Sequence, residues 1–437
     1  MLTKSPAEAR IIKLLKNCTY LDRKFNIETG DILIEDGIII DIDKNIEKEK
    51  SQLEGSMDCK DYLILPGFVN GHTHNPSTLY RGLFRDKPLS DWLDNSYQGQ
   101  LQHKGFEFLD DKVNREEFHV LLLKSYSEYM RQGISTVVES GQSDREDVIN
   151  WTEDVLRTAN VRGVIDVYDE IDNYYNNSDE YVKYCSHLPE EELIDDTLLP
   201  ELKNQKETYP SLRMTHCLET LNRKKIVNHK YHKSTVELFD DFNLLDKNTV
   251  LFHCTHVNND DIELIADRQA SIVYCPVSNY WSGAGYAPVE KFLQEDINIL
   301  LGTDFLLTDL WEVMRNAYYY LKTHTEPERY TAKDIFKMVT VNAHRVIAPE
   351  MKIGKIDIDY KADLQFINKN DTQIWPLLNK NGFSNILHNL LMHGNASMVE
   401  NLMIDGKWVL KDNKIIPFDE NFILIRYRHI LQKLYGF

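Results

Sequence analysis

Long uninterrupted apolar runs are missing from this chain of 437 residues. A membrane-spanning helix needs roughly 18 to 20 such residues in succession, so no span and no membrane partner are expected. The opening stretch, MLTKSPAEARIIKLLKN, scatters charges where a secretory leader would carry an apolar core and a small-residue cleavage site, so secretion is not expected either. Cysteine is sparse: six residues, at 18, 59, 185, 217, 254 and 275, form no CxxC pair and no dense framework. That usage excludes a disulfide scaffold and fits a reducing cytoplasm. Basic charge is short as well, with 50 Lys and Arg against 69 Asp and Glu and a net charge of −19. Binding a phosphate backbone needs clustered cations, so the expected partner is a small molecule, not nucleic acid. Phosphate loops of the GxGxxG and GxxxxGKS/T kinds are absent, as are HExxH and the HxE with PCxxC pattern.

What the chain does contain is an ordinary globular composition, 42% hydrophobic and 27% charged, at a length that suits one large domain with a smaller one. Residues 11–43 read as short strands, with Asp36-Gly37 between alternating apolar runs as a hairpin turn. From residue 63, at LILPGFVNGHTH, short apolar strands begin to alternate with amphipathic segments. Strands are expected at 67–74, 134–140, 163–169, 212–219, 248–256, 270–276 and 297–305, and the helix over 116–133 stops at Gly133. Such alternation predicts an α/β fold, a TIM-type (β/α)8 barrel. Its remaining strand falls either between Tyr80 and Arg131 or in the acidic 170–210 stretch.

A further helix is expected around 331–345. Strand-like text then returns in ADLQFINK and ASMVENLMIDGKWVLKDNKII, with a second turn at Asp405-Gly406. The expected organisation places the barrel at 65–347, while residues 1–64 and 348–437 join as a small discontinuous β-sandwich domain. The last segment, DENFILIRYRHILQKLYGF, reads as an amphipathic helix that either packs on the core or meets a second copy in a homo-oligomer.

His72 and His74 are two apart on an expected strand, so both imidazoles face one side. Alone, the pair suits a structural role as well as a metal site. His216, His253 and Asp304 fall at the C-terminal ends of three other expected strands, the end at which TIM-barrel active sites lie. Imidazoles and a carboxylate converging there suit one divalent cation, Zn²⁺ foremost, with Fe or Mn as alternatives. Glu219 follows His216 by three residues and is either a proton shuttle leaning over the site or a solvated carboxylate. A metal-bound water, its pKa lowered to about 7, still needs a base, and its leaving group an acid; Asp304 and Glu219 suit those roles. Cys217 and Cys254 alternate away from the site and are read as packing, and His256 as a support for the site or a loop residue. The remaining histidines, His187 among them, are read as structural.

These residues resemble the amidohydrolase superfamily, and within it the branch of triazine hydrolases and heterocycle or nucleoside deaminases, which includes methylthioadenosine/S-adenosylhomocysteine deaminase-like hydrolases. LPGFVNGHTH is similar to the family's first barrel strand and RGLFRDKPLSDWL to the segment after it. HCLET, LFHCTHV, YCPVSN and LLGTD are similar to strands five to eight, and KIGKIDIDYKADLQFIN to the closing β domain. The resemblance implies a mononuclear centre with His72, His74, His216 and Asp304 as ligands. Glu219 would be the proton shuttle, His253 would polarise the attacking hydroxide or the substrate, and Asp304 would also act as base. Binuclear members carry a bridging lysine on the fourth strand; none stands near GVIDVYDE. Glu219 also favours deamination over dechlorination, whose leaving group needs no proton.

On the substrate side the expected contacts are Arg81, Trp92, Leu101, Ser278, Asn279 and Phe305. Counting from Trp92 to the place where nucleoside-type relatives carry a glutamate reaches Leu101, and after Asp304 the apolar FLLTDLWEVMR replaces a glycine and a longer polar loop. A smaller or less polar substrate, closed over by Phe305 and Leu306, is the consequence. The stretch DEIDNYYNNSDEYVKYC reads as either a lid or a solvated loop. The functions in view are a hydrolytic deaminase of a nitrogen heterocycle, a hydrolase of another C–N or amide bond or leaving group, and a metal-bound binding protein without turnover. Nothing structural requires the ligands, Glu219 and His253 together, which speaks against the last.

Overall fold

The computed structural model describes residues 11–48, 53–141, 145–168 and 171–437. Residues 1–10, where the leader reading begins, and Asp169 and Glu170, the start of the tyrosine-rich stretch, lie outside them.

Eight parallel strands follow one another around a barrel: β1 (Phe68–Thr73), β2 (Ile134–Glu139), β3 (Arg162–Val167), β4 (Val182–His187), β5 (Arg213–Cys217), β6 (Thr249–His253), β7 (Ser271–Tyr274) and β8 (Asn298–Leu301). A parallel bridge between Thr73 and Asp304 closes the ring. Strands covered on both faces read as near-continuous apolar runs, which is why these segments stand out in the sequence. Inside the barrel, Val69, Val138, Val164, Cys185, Met214, Val250, Val273 and Leu300 supply one buried side chain from each strand to a single apolar cluster. Alternate residues such as Phe68, Val137, Ile165 and Leu251 point outward and pack with the helices.

The strand left open above is β4, within the acidic stretch, so Val182–Cys185 belongs to the barrel and to neither a lid nor a solvated loop. Between Tyr80 and Arg131 the chain forms the helices Tyr97–Asp110 and Arg115–Arg131 instead. The second of these ends at Gln132 and Gly133, whose φ of +80° turns the chain into β2. The helix expected around 331–345 is two, Ala332–Met338 and Val341–Ile347, broken at Thr340, whose φ of −132° and ψ of −99° leave the helical region. Among the described residues no helix is long and apolar enough to cross a membrane.

Both chain ends build a second, nine-stranded sheet, in which Tyr62–Pro66 pairs with Ile12–Leu21 on one side and Leu364–Asn368 on the other. Its core includes Leu15, Ile32, Ile64, Leu364, Phe366 and Met403. The turns at Asp36-Gly37 (φ +48° and +81°) and Asp405-Gly406 (φ +51° and +71°) have the left-handed pair of conformations that two-residue hairpins use. They also abut: a Cβ on Gly37 would stand 2.6 Å from the Asp405 carbonyl oxygen. Arg162, at the start of β3, reaches across to the end sheet and holds Asp363 by two hydrogen bonds of 2.9 and 3.2 Å, both side chains being buried. The C-terminal helix Glu420–Tyr435 packs Ile423, Ile430 and Leu434 inward and ties to the Arg115–Arg131 helix through Arg131 and Glu420, while Phe422, Leu424 and Ile425 remain exposed.

Candidate active site

The chemistry-bearing residues stand at the C-terminal ends of the strands. His72 lies in β1 and His74 just beyond it, and their Nε2 atoms come within 3.3 and 3.2 Å of one oxygen, Oδ1 of Asp304. His216 in β5 brings its Nε2 to 3.1 Å from that of His74. His253 closes β6, with Nε2 3.8 Å from Asp304 Oδ2. Ligand atoms of His72, His216, His253 and Asp304 all lie within 4.8 Å of one another. His74 adds a fifth donor through its contacts with Asp304 and His216.

The backbone is bent to achieve this. Leu218, His253, Cys254, Asp304 and Leu306 all have φ between +47° and +70°. Side-chain-bearing residues avoid that region, and holding each one there costs on the order of 1 kcal/mol, so the surrounding barrel must impose it.

The side chains fit a cation. The Nε2 atoms of His72 and His253 are buried without a hydrogen-bond partner and face the cluster, an arrangement that a bound ion would satisfy. His216 directs Nδ1 at Glu190 (3.0 Å) and His253 directs Nδ1 at Asn279 Oδ1 (2.7 Å), which leaves each Nε2 lone pair facing the cluster. Burial holds His72 down at about 3 and His216 well below the usual histidine range, so both rings are neutral. Burial alone would raise Asp304, but the surrounding His72, His74 and His253 rings outweigh it and keep the carboxyl well below its ordinary value. His74 is opposed by burial yet raised by Asp304: the space between these groups attracts positive charge.

Glu219 is buried at the exit of β5, with Oε1 4.0 Å from His253 Nε2 and Oε2 accepting from Arg223 at 3.1 Å. Ser278, one of the expected substrate contacts, donates to Asp304 Oδ2, and Asn279 is the partner of His253, so both orient the cluster. Arg81 is engaged by Glu128 and Thr308. Leu101 sits on the Tyr97–Asp110 helix, and its neighbour Gln102 is the fully buried residue there, accepting from Leu93 N and donating to the Leu83 carbonyl. Phe305 lies beside His74 (6.1 Å between ring centroids), and its other ring neighbours are Tyr80, Phe84 and Trp92, at 5.8, 5.1 and 5.7 Å. Trp92 in turn runs parallel to Trp281 at 5.5 Å. A cavity of about 160 Å³ opens from His74 between Tyr80, Phe106, Phe118 and Phe305 and reaches Arg145. Cys217 and Cys254 are buried in the core behind the site, and His256 is bound to the Ala284 carbonyl of a loop at 2.8 Å. Glu190 and its partners His187 and Asp166 were not anticipated; the HxxE spacing of His187 and Glu190 after a strand is the one trace they leave in the sequence.

Known proteins are similar to this chain over most of its length. The chain is 29% identical over 427 residues to a 5-methylthioadenosine/S-adenosylhomocysteine deaminase of Pyrococcus horikoshii, covering 93% of the chain and 96% of the relative. It is 27% identical over 419 residues to a 5'-deoxyadenosine deaminase of Methanocaldococcus jannaschii, covering 90% and 94%. The fold is that of an adenosine deaminase from Xanthomonas campestris solved with bound zinc (TM-score 0.83, 18% identity, 97% and 99% coverage). It is equally that of the atrazine chlorohydrolase TrzN from Arthrobacter aurescens complexed with zinc (TM-score 0.81, 16% identity, 96% and 100% coverage). The model of the amidohydrolase family matches residues 63–409, a span that takes in every barrel strand and every residue of the His/Asp cluster, and the chain belongs to that family.

Proposed function

We propose that this chain is a metal-dependent hydrolytic deaminase of a nitrogen heterocycle, cleaving a C–N bond other than a peptide bond. The observation that carries this reading is the position of Glu219, a buried carboxylate at the rim of the imidazole and carboxylate cluster, 4.0 Å from His253. A deaminase must deliver protons to a ring nitrogen and to departing ammonia, and a carboxyl group over the site can do so. The deaminase names of relatives spanning most of the chain support it.

In this reading His72, His74, His216 and Asp304 hold one divalent ion, Zn²⁺ foremost with Fe or Mn as alternatives, because a neutral imidazole and carboxylate set accepts all three. When bound, such an ion lowers the pKa of a coordinated water to about 7. Asp304, ionised and fixed by Ser278, takes the proton from the attacking water. His253, oriented by Asn279, directs its Nε2 lone pair at the same space, where it accepts a hydrogen bond from the attacking water and polarises it. Glu219 carries the two protons that the water loses, the first handed on by Asp304, to the ring nitrogen and then to the amine, so that the oxygen stays on the ring carbon as a carbonyl, the C–N bond breaks and ammonia leaves. The aromatic wall of Tyr80, Phe106, Phe118 and Phe305 suits a planar ring more than a polyhydroxylated one. Six buried, unpaired cysteines accord with a cytoplasmic setting.

The test is a screen of metal-loaded protein for ammonia release from purines, pyrimidines, pterins, triazines and guanidino compounds, with products identified by mass spectrometry. Release of a different leaving group would move the assignment to another hydrolase of this family. A metal-loaded protein that turns over none of them would return it to the binding-protein reading.

A further inference from the structure

If His216 is a ligand, as proposed above, its Nδ1 faces away from the ion, and the groups that meet it there come from three other strands. Glu190, buried just past β4, places Oε1 3.0 Å from His216 Nδ1 and 3.2 Å from His187 Nε2. His187, the last residue of β4, turns Nδ1 to Asp166 Oδ2 at 2.8 Å and stacks on Tyr168 at 3.9 Å. Asp166 in β3 also accepts from Ser140 Oγ at 2.8 Å and from Gly141 N at 3.3 Å, at the exit of β2. Gly141, at φ +80°, lies against His74: a Cβ there would stand 3.0 Å from His74 Nδ1. One buried polar chain thus runs behind the strand ends and touches both imidazoles whose Nε2 atoms face each other at 3.1 Å.

We infer that Glu190, backed by His187 and Asp166, is a positioning residue for the metal centre. It accepts from His216 Nδ1–H and so holds that ring in the tautomer whose Nε2 lone pair faces the ion, while Asp166 seats Gly141 against His74.

The proton inventory supports this. Glu190 and Asp166, when ionised, can only accept, so His187 between them donates from both nitrogens and is an imidazolium. Burial opposes that charge, but the two carboxylates outweigh it and raise His187 to about 9. The three groups together add one negative charge beside a divalent ion that has Asp304 as its carboxylate ligand, which brings the buried charges towards balance. Glu191 braces the same strand from the next position, accepting from Leu218 N at 2.7 Å and from Thr235 Oγ1 at 2.8 Å, so Glu190 is free for the ring.

The experiment uses full-length protein stripped with a chelator: the parent, Glu190→Ala, Glu190→Gln, His187→Asn and, as reference, His216→Ala. Zinc affinity is read by competition with a chromophoric chelator, and melting temperature with and without zinc. Loss of a group that orients a ligand typically weakens metal binding about 10- to 100-fold. Glu190→Ala should fall in that range; its metal-free melting temperature should drop because His187 loses a buried partner, and its zinc-bound one should drop further, so that the zinc-induced rise shrinks. Glu190→Gln and His187→Asn should lose less, since the amide oxygen of the first still accepts and the carboxylate behind the second remains. Parent-like affinity in Glu190→Ala, or an equal fall of both melting temperatures, overturns the inference. Should that variant fail to fold, parent-like affinity in Glu190→Gln overturns it instead. If His216→Ala binds zinc as the parent does, the ligand assignment itself fails and takes the inference with it, an outcome distinct from a Glu190 result alone.

Discussion

The backbone N–H of Asp304 donates to the carbonyl oxygen of His72 at 2.9 Å. That bond closes the barrel between its last and first strands, and the side chains of the same two residues meet at 3.3 Å in the centre of the site. Closing the fold and assembling the His/Asp cluster are therefore one event. A barrel that failed to close would separate Asp304 from His72 and His74.

Metal removal should abolish turnover and lower stability together. The closed cluster binds an ion that the unfolded chain does not, so at an ion concentration of 1,000 times Kd the gain is about 4 kcal/mol. Chelator-treated protein should melt lower and regain both activity and melting temperature on return of Zn²⁺, Fe²⁺ or Mn²⁺, with metal content followed by elemental analysis. Full turnover in metal-free protein would sink the proposed mechanism.

Glu219→Gln should retain the metal, because its carboxylate faces His253 and Arg223 and is not among the clustered ligand atoms. Ammonia release should nonetheless fall by about 10²- to 10⁴-fold, the usual value of a positioned proton-transfer group. Arg223→Ala, which frees Glu219 from its 3.1 Å partner, should cost much less. Steady-state kinetics on metal-normalised samples distinguish the two; equal kcat in parent and Glu219→Gln would contradict the assigned role.

Asp363→Asn should destabilise the chain without touching the metal cluster. It breaks a buried pair with Arg162 that joins the barrel to the end sheet, and leaving one partner of such a pair uncompensated costs about 3 to 5 kcal/mol. Urea denaturation should show it as a lower midpoint. The pH dependence has a definite sign. Burial would raise Asp363, but Arg162 outweighs it and holds the carboxyl below its ordinary value. The contribution is then complete above the unfolded value of about 3.9 and is lost as pH falls through the lower folded value, so the acid limb of the stability curve should be flatter in the variant.

Gly37→Ala should unfold more easily by at least about 1 kcal/mol, since the added Cβ meets both a positive φ and a tightly packed neighbour. The position has φ +81° and its Cβ would lie 2.6 Å from the Asp405 carbonyl oxygen. Because the damage falls where the two chain ends meet, zinc affinity of the folded fraction should be unchanged. Denaturation midpoint and metal titration on the same sample check both halves.

Much of this was legible in the sequence, for identifiable reasons. His72 and His74 announced themselves because a strand repeats every two residues, β6 is an apolar run ending in His253, β8 is one with Asp304 three residues beyond it, and β5 carries His216 next to its end. The turns at Asp36-Gly37 and Asp405-Gly406 were readable because two-residue hairpins demand residues that tolerate positive φ. β4 stayed ambiguous because VKYCSH mixes a lysine, a serine and a histidine into six residues, and their partners, Glu350 for Lys183, Gln205 for Ser186 and Asp166 with Glu190 for His187, come from elsewhere in the fold. That Ser278 and Asn279 bond Asp304 and His253 no spacing could show.

By itself, then, the sequence determined the alternation of strands and helices, the hairpins at both ends and the residue types of the metal cluster, because each is written in local periodicity and turn chemistry. Tertiary structure alone decided which atoms meet: the positive φ at His253 and Asp304, the facing Nε2 atoms of His74 and His216, and the chain from Ser140 through Asp166, His187 and Glu190. Those contacts join strands far apart along the chain, and only the register of a closed barrel brings them within hydrogen-bond reach.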